Sequence, residues 1–169
     1  FDAYGQNKKY WKNQKNCGKK FIHVYYDNNM PELPEVETTT KGLRKETLGL
    51  KILDVWTDLN TKDKRKNDTV ANPKFFTIFK KEIIGYKIIG VERRAKNILI
   101  NLSKNSKNKT EKIILIHLKM TGHLIYGKYK FTKNNVWIPN EKKDSPLYDP
   151  FNKFVHIMFT FSNRKHLAF

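Results

Sequence analysis

The stretch Met30-Pro31-Glu32-Leu33-Pro34-Glu35-Val36-Glu37-Thr38 lies near the start of the chain and predicts the beginning of a helix. Pro34 suits the first helical position, because the N–H group that proline lacks would have no partner there. Glu35 and Glu37 place negative charge in the first turn, where the helix dipole favours it. Apolar and threonine side chains then recur at helical spacing up to a glycine, so the sequence predicts a helix over residues 34–48.

A helix needs neither the second proline nor the further acid that Met30-Pro31-Glu32 places before it. If Met30 is the initiator and is removed, Pro31 becomes an N-terminal secondary amine, which titrates near neutrality and well below a lysine. Such an amine can attack an aldehyde carbon and form an iminium, as in Schiff-base catalysis. Glu32 beside it can carry a proton. The alternative is that the stretch does no more than bound the start of a helix.

Residues 30–38 resemble the opening of the formamidopyrimidine-DNA glycosylases, bacterial enzymes that excise oxidised purines and whose chains begin Met-Pro-Glu-Leu-Pro-Glu-Val-Glu-Thr. The sister family, endonuclease VIII, usually has Gly where this chain has Leu33, which favours the first family. The resemblance implies that Pro31 is the nucleophile and Glu32 the general acid, and that Glu35 positions the lesion or the amine. It also implies cleavage of the abasic strand by β,δ-elimination.

A second segment, Arg93-Arg94-Ala95-Lys96, resembles the hairpin of the same family whose lysine enters the active site. The resemblance implies a catalytic role for Lys96 in proton transfer or phosphate contact. Arg93 and Arg94 would bind the phosphates that flank the lesion. By itself, the segment would indicate only an exposed charged turn.

A third segment, His117-Leu118-Lys119-Met120-Thr121-Gly122, resembles the family's His-Leu-x-Met-Ser/Thr-Gly. There the methionine enters the duplex and fills the space of the extruded base, which a flexible apolar side chain suits. The resemblance implies DNA contacts by Met120, His117 and Lys119. The alternatives are a core methionine and a buried strand histidine.

Residues 153–169 resemble the strand pair that precedes the family's Asp-x-Arg-x-Phe-Gly loop. Many members have a DNA-contacting histidine where this chain has Phe154, while His156 lies two places on. The resemblance covers residues 30–169, the N-terminal domain only, and the chain stops within a predicted strand. We therefore expect a truncated catalytic domain without the intercalating loop, the helix–two-turn–helix domain and the zinc finger. Zinc is expected in that finger alone, with no metal or other cofactor in this chain.

Charge is the strongest compositional signal. The 169 residues include 34 Lys and Arg against 16 Asp and Glu, a net charge of +18, which favours a polyanionic partner such as nucleic acid. An AT-rich genome, which increases Lys, Asn and Ile together, is an alternative source of this balance. The one cysteine, Cys17, gives no disulfide framework and no zinc site. No apolar run approaches the length that spans a membrane.

Residues 1–29 differ from the rest of the chain, since they are rich in Lys, Asn and Tyr and begin with Phe rather than Met. We interpret them as a non-native or disordered leader that packs poorly on the domain. The alternative is a basic arm that contacts DNA. An attached arm would leave Pro31 as an ordinary amide without a nucleophilic nitrogen, which favours the leader.

The predicted fold class is α+β and mostly β: a β-sandwich of short antiparallel strands flanked by two α-helices. The second helix is expected over residues 73–84, with its aromatic stripe in the core. The predicted strands are residues 51–58, 86–92, 97–102, 112–118, 123–126, 154–161 and 166–169. Residues 127–150 are expected to form a long loop broken by prolines.

The resemblance implies a monomer in the bacterial cytoplasm that acts on double-stranded DNA carrying an oxidised purine or an abasic site. One rival function is a catalytically inactive, basic DNA-binding module that retains the fold and keeps its leader. Another is a small RNA-binding protein. That function would require stacking aromatic side chains on an exposed sheet, which the sequence does not identify.

Overall fold

A computed structural model describes residues 20–24, 33–66, 68–104, 109–118, 122–149 and 154–169. These residues form two helices, α1 (Leu33–Thr47) and α2 (Pro73–Ile83). Their strands are β1 (Lys20–Val24), β2 (Ile52–Thr57), β3 (Lys87–Arg94), β4 (Asn97–Ser103), β5 (Lys112–His117), β6 (Ile125–Gly127), β7 (Tyr129–Phe131), β8 (Trp137–Pro139), β9 (Ile157–Phe161) and β10 (His166–Ala168).

The strands are arranged in two four-stranded sheets and one hairpin. The first sheet has the order β1-β5-β4-β3 and the second the order β2-β9-β10-β6, while β7 pairs with β8. Apart from the parallel pair β1–β5, all these neighbours are antiparallel. Buried side chains of both large sheets and both helices form one hydrophobic core. The predicted sandwich with two flanking helices is therefore confirmed.

Helix α1 buries one face against this core. Val36, Thr40, Leu43 and Thr47 are its buried residues and recur every three or four positions. The hydroxyl groups of Thr40 and Thr47 are satisfied within the helix, since each donates to the carbonyl four residues earlier. The two threonines therefore pack in the core at little cost. The observed helix agrees with the predicted one to within one residue at each end.

Helix α2 begins at a strong capping site. The side-chain oxygen of Asn72 accepts hydrogen bonds from the backbone N–H groups of Lys74 at 2.9 Å and Phe75 at 3.2 Å. Pro73 occupies the first helical turn, as it does in many helices. Phe79 is buried, with its ring 6.3 Å from that of Phe159 in the second sheet. This confirms that the aromatic stripe of the helix belongs to the core.

The prediction of a long loop over residues 127–150 was wrong. That segment contains the β7–β8 hairpin and a short 3-10 helix, Pro146–Tyr148. Pro139 does not prevent the pairing, because a two-stranded ribbon leaves one edge of each strand without partners and a proline can face that edge.

The first sheet also includes a strand from the N-terminal segment. Lys20–Val24 runs parallel to β5, with Lys20 opposite Lys112 and Val24 opposite Ile116. This pairing differs from the expectation that residues 1–29 stand apart from the domain. The physical reason is that β5 would otherwise offer unpaired backbone groups to any β-prone segment. The rest of residues 1–29 lies outside the described residues. Neither helix in the described part of the chain is long and apolar enough to cross a membrane.

Candidate functional site

The first turn of α1 carries the acidic side chains of the N-terminal motif. Glu35 is exposed, while Val36 is fully buried and fixes the rotation of the helix. The Thr38 hydroxyl donates to the Pro34 carbonyl at 2.9 Å. Pro31 and Glu32, the predicted nucleophile and general acid, lie outside the described residues, so their roles remain predictions.

An ion pair joins this turn to the β3–β4 hairpin. Arg93 Nε donates to Glu37 Oε2 at 2.5 Å, and Arg93 Nη1 donates to the Ala95 carbonyl at 3.1 Å. The hydrogen bond from Arg93 lowers the pKa of Glu37, so the carboxylate stays charged in the neutral range. Arg93 was predicted to bind phosphate, and in the structure its guanidinium braces the hairpin against the helix. Sequence reasoning missed Glu37 as its partner, because the two residues are 56 positions apart.

The hairpin tip presents the remaining cations. Arg94 pairs with Asn97, which leaves Ala95 and Lys96 as a two-residue loop. Ala95 has φ of 51°, in the left-handed region that hairpin turns of this length require and that alanine adopts at a cost. Arg94 is exposed and Lys96 half-buried, so the tip carries positive charge close to α1.

Strand β5 brings the third motif to the same edge of the sheet. His117 lies directly opposite Asn97, the residue that follows Lys96. Beyond it, the buried Leu118 accepts a hydrogen bond at 3.0 Å from the Gly122 N–H, which holds these two residues close together. Lys119, Met120 and Thr121 lie outside the described residues, so the predicted wedge and phosphate contact remain predictions.

Position 122 requires glycine for steric reasons. A Cβ atom there would lie 2.4 Å from the Leu118 carbonyl oxygen and 2.8 Å from a ring carbon of Phe169. Real Cβ atoms essentially never make contacts below 3.0 Å. The close approach of Gly122 to Leu118 and Phe169 therefore depends on the absence of a side chain at position 122.

His156 is paired within the protein. Its Nδ1 lies 3.0 Å from Asp58 Oδ1, and the Thr57 hydroxyl donates to its carbonyl at 2.7 Å. Phe154, at the position where many family members have histidine, is 70% exposed. Sequence reasoning did not identify Asp58, because 98 residues separate it from His156.

The three segments that resemble the family's motifs therefore converge. The Glu37–Arg93 pair joins α1 to the hairpin, and the Asn97–His117 register joins the hairpin to the end of β5. A helix start, a basic hairpin tip and the end of β5 meet at one end of a mostly antiparallel sandwich.

Residues 30–169 match the model of the formamidopyrimidine-DNA glycosylase N-terminal domain, and the chain belongs to this family. The formamidopyrimidine-DNA glycosylase of Enterococcus faecalis is 31% identical over 143 residues, which are 83% of this chain and 38% of the relative. That of Pelotomaculum thermopropionicum is 33% identical over 140 residues, 83% of this chain and 39% of the relative. The chain thus spans about two fifths of the length of these relatives.

Solved structures show the same fold. A structure of MutM in complex with DNA containing carbocyclic 8-oxo-G has a TM-score of 0.53 at 24% identity, covering 82% of this chain and 40% of that one. The complex of Lactococcus lactis Fpg (MutM) with Fapy-dG-containing DNA has a TM-score of 0.51 at 23% identity, covering 81% and 39%.

Proposed function

We propose that this chain is the N-terminal catalytic part of a DNA glycosylase that removes oxidised purines from duplex DNA. After excision it cleaves the abasic strand by β,δ-elimination through a Schiff base at Pro31. The observation that carries the proposal is the convergence of the three motif segments, held by the Glu37–Arg93 pair and the Asn97–His117 register. We also propose that the protein acts as a monomer in the bacterial cytoplasm.

Electrostatics supports DNA as the substrate. The net charge of +18 attracts a polyanion, and the exposed Arg94 and half-buried Lys96 place cations where the motif segments meet. The structures of similar fold are complexes with DNA that carries 8-oxo-G or Fapy-dG, lesions of the proposed class. We assign phosphate contacts to Arg93, Arg94, His117 and Lys119, and Arg93 also positions the hairpin through its ion pair with Glu37.

The proposed reaction begins with extrusion of the damaged nucleotide, since C1′ cannot be reached inside the stacked duplex. Met120 fills the space that the base leaves. The Pro31 nitrogen forms a bond to C1′ as the glycosidic bond breaks, and the base departs with a proton. Glu32 protonates the sugar ring oxygen and the ring opens to an iminium.

The iminium acts as an electron sink for strand cleavage. Loss of a C2′ proton expels the 3′ phosphate, and a second elimination expels the 5′ phosphate. Lys96 assists by proton transfer or phosphate contact, and Glu35 positions the lesion or the amine. Water then hydrolyses the Schiff base and restores the secondary amine.

The chemistry requires a chain that starts at Pro31, because a nitrogen joined to Met30 is an amide without a basic lone pair.

The second candidate function, an inactive DNA-binding module with residues 1–29 attached, is favoured by one observation. Strand β1 pairs with β5 and gives the N-terminal segment a place in the first sheet. The two candidates differ in whether excision depends on removal of these residues.

The test is excision of 8-oxoguanine from a duplex oligonucleotide by the full-length protein that contains residues 30–169. We expect base release and strand cleavage from protein starting at Pro31, and neither when residues 1–29 are retained. Glu32→Gln should lower the rate about 100-fold or more, the usual contribution of a general acid. Glu46→Gln, at the exposed far end of α1, is the matched control and should not change the rate. Equal excision with residues 1–29 attached would contradict the proposal.

A further inference from the structure

A group of aromatic side chains lies where the β7–β8 hairpin packs on β2 and β10, and none of them belongs to the three motif segments. We call Trp56, Tyr129, Phe131, Trp137 and His166 the aromatic group. Phe131 is its centre at the surface, with its ring 5.7 Å from Trp56 and 5.0 Å from Trp137. Trp137 in turn lies 5.1 Å from His166, which joins the hairpin to the second sheet. The rings of Trp56 and Phe131 meet edge to face with their planes at 65°, an arrangement that aromatic pairs prefer, and those of Phe131 and Trp137 are tilted by 51°.

The aromatic group is buried at one end and open at the other. Tyr129 is 5% exposed, whereas Phe131 is 45% exposed and the neighbouring Val136 49%. The Tyr129 hydroxyl and the Trp137 Nε1 are buried and have no hydrogen-bond partner among the described residues. The ring at the open end, Phe131, carries no polar atom. Such a surface can stack on a planar apolar face but cannot read hydrogen-bonding edges.

The open end is held in a fixed conformation. The backbone N–H and the hydroxyl of Thr132 both donate to the Val136 carbonyl at 2.9 Å, and the Asn135 N–H donates to the Thr132 carbonyl at 3.1 Å. Asn135 takes the left-handed conformation, φ of 59°, that the turn needs. A ligand would therefore meet a preformed ring position, which lowers the entropic cost of binding.

Positive charge surrounds the open end. Lys128, Lys130 and Lys133 are exposed on the hairpin itself. Glu141, the nearest acid in sequence, is exposed but already accepts hydrogen bonds from the Lys128 N–H at 3.1 Å and the Ser145 hydroxyl at 2.9 Å. An exposed aromatic ring beside exposed cations is the combination that binds single strands, with bases on the ring and phosphates on the lysines.

We propose that the tip of the β7–β8 hairpin binds single-stranded DNA by stacking an unpaired base on Phe131, with Lys130 and Lys133 on the adjacent phosphates. A base within a duplex is already stacked on both faces and cannot take this position without being extruded. The surface thus selects single strands over duplexes and tolerates any base. It uses none of the residues assigned to excision, so this binding and the excision chemistry can each fail alone.

The experiment measures binding of the whole chain to a labelled oligothymidine of about ten nucleotides, within the usual site size for such surfaces. Fluorescence anisotropy gives the affinity, and tryptophan emission reports on Trp56 and Trp137 beside the stacking ring. Phe131→Ala should weaken binding about tenfold, as loss of one stacked base does, while Phe131→Tyr should bind like the wild type. Ile78→Ala, which truncates another exposed apolar side chain on α2, should bind like the wild type.

The salt dependence of binding and the choice of nucleic acid test the proposal further. Lys133→Gln should reduce the slope of log affinity against log salt by about 0.7, the value for one phosphate contact on a single strand. Equal binding by Phe131→Ala and the wild type would overturn the proposal. If Phe131→Ala lost as much affinity for a matched duplex as for the single strand, base stacking would be excluded. Tighter binding of an oligouridine than of the oligothymidine would reassign the surface to RNA. Far-UV circular dichroism of Phe131→Ala and Phe131→Tyr verifies that both variants are folded.

Discussion

Gly122→Ala probes the contact between Leu118 and Gly122, the described residues on either side of the predicted wedge residue Met120. The added Cβ would lie 2.4 Å from the Leu118 carbonyl oxygen, which is also the acceptor of the Gly122 N–H at 3.0 Å. Relief of this contact must move one backbone segment away from the other and break that hydrogen bond. Overpacking costs about 1–3 kcal/mol and the lost hydrogen bond about 1 kcal/mol, so we expect a destabilisation of about 3 kcal/mol.

Thermal unfolding of the whole chain, followed by circular dichroism, measures this effect. For a chain of this size, about 3 kcal/mol lowers the Tm by about 9 °C. The matched control is Gly42→Ala in the exposed interior of α1, where the added Cβ has nothing within 4 Å. It should raise stability by about 1 kcal/mol, since alanine is the better helix former. A Gly122→Ala protein as stable as the wild type would refute the steric argument, because the surroundings of Gly122 would then have room that the structure does not show.

Three further predictions concern the supports of the fold and site. Lys112→Met should destabilise the chain by about 2 kcal/mol in urea titrations, because Lys112 Nζ donates to both the carbonyl and the carboxylate of Glu82 at the end of α2; an unchanged urea midpoint would contradict this. Ala95→Gly should stabilise by up to about 1 kcal/mol, since glycine adopts the positive φ of the turn without strain; a lower Tm would show that the alanine is not strained. Glu37→Gln should increase amide hydrogen exchange in the β3–β4 hairpin at neutral pH, and unchanged protection would mean that Arg93 does not brace it.

The Lys112–Glu82 and Glu37–Arg93 contacts also make the stability of the fold depend on pH, with opposite signs. Burial alone would lower the pKa of Lys112, but hydrogen bonds with Glu82 and Tyr86 outweigh it and the pKa is raised. Its stabilising contribution is therefore complete below the ordinary lysine pKa and is lost as the pH rises through the folded value. The pKa of Glu37 is lowered, so its contribution is present above the ordinary glutamate pKa and is lost as the pH falls through the folded value.

The parts of the fold that were predictable depend on local signals. Helix α1 could be predicted because proline, acids and buried positions lie within one stretch of sequence, and α2 because Asn72-Pro73 forms a complete cap. The β7–β8 hairpin could not, since its strands are three residues long and gain their stability from packing on Trp56 and His166, which are distant in sequence. Period-two alternation over three residues is too short a signal to outweigh the prolines nearby.

In the candidate site, too, local motifs could be predicted from the sequence and long-range contacts could not. The sequence motifs predicted Lys96, Arg94 and His117 as site residues, and the structure brings the segments that carry them together. The pairing of Arg93 with Glu37 was not predictable, because a basic cluster in sequence does not show which of its members is used internally. Long-range ion pairs depend on the register of the sheet and the rotation of the helix, and both become known only with the fold.

Identification of the residue that bonds to DNA tests the central claim most directly. The full-length protein that contains residues 30–169 and starts at Pro31 is incubated with 8-oxoguanine duplex and sodium borohydride, which reduces an iminium to a stable amine. Proteolysis and mass spectrometry then locate the linked residue. We predict a single cross-link at the Pro31 nitrogen, and none in the same protein with residues 1–29 attached. A cross-link at Lys96 or any other lysine, or one of equal yield with the N-terminal segment attached, would contradict the account.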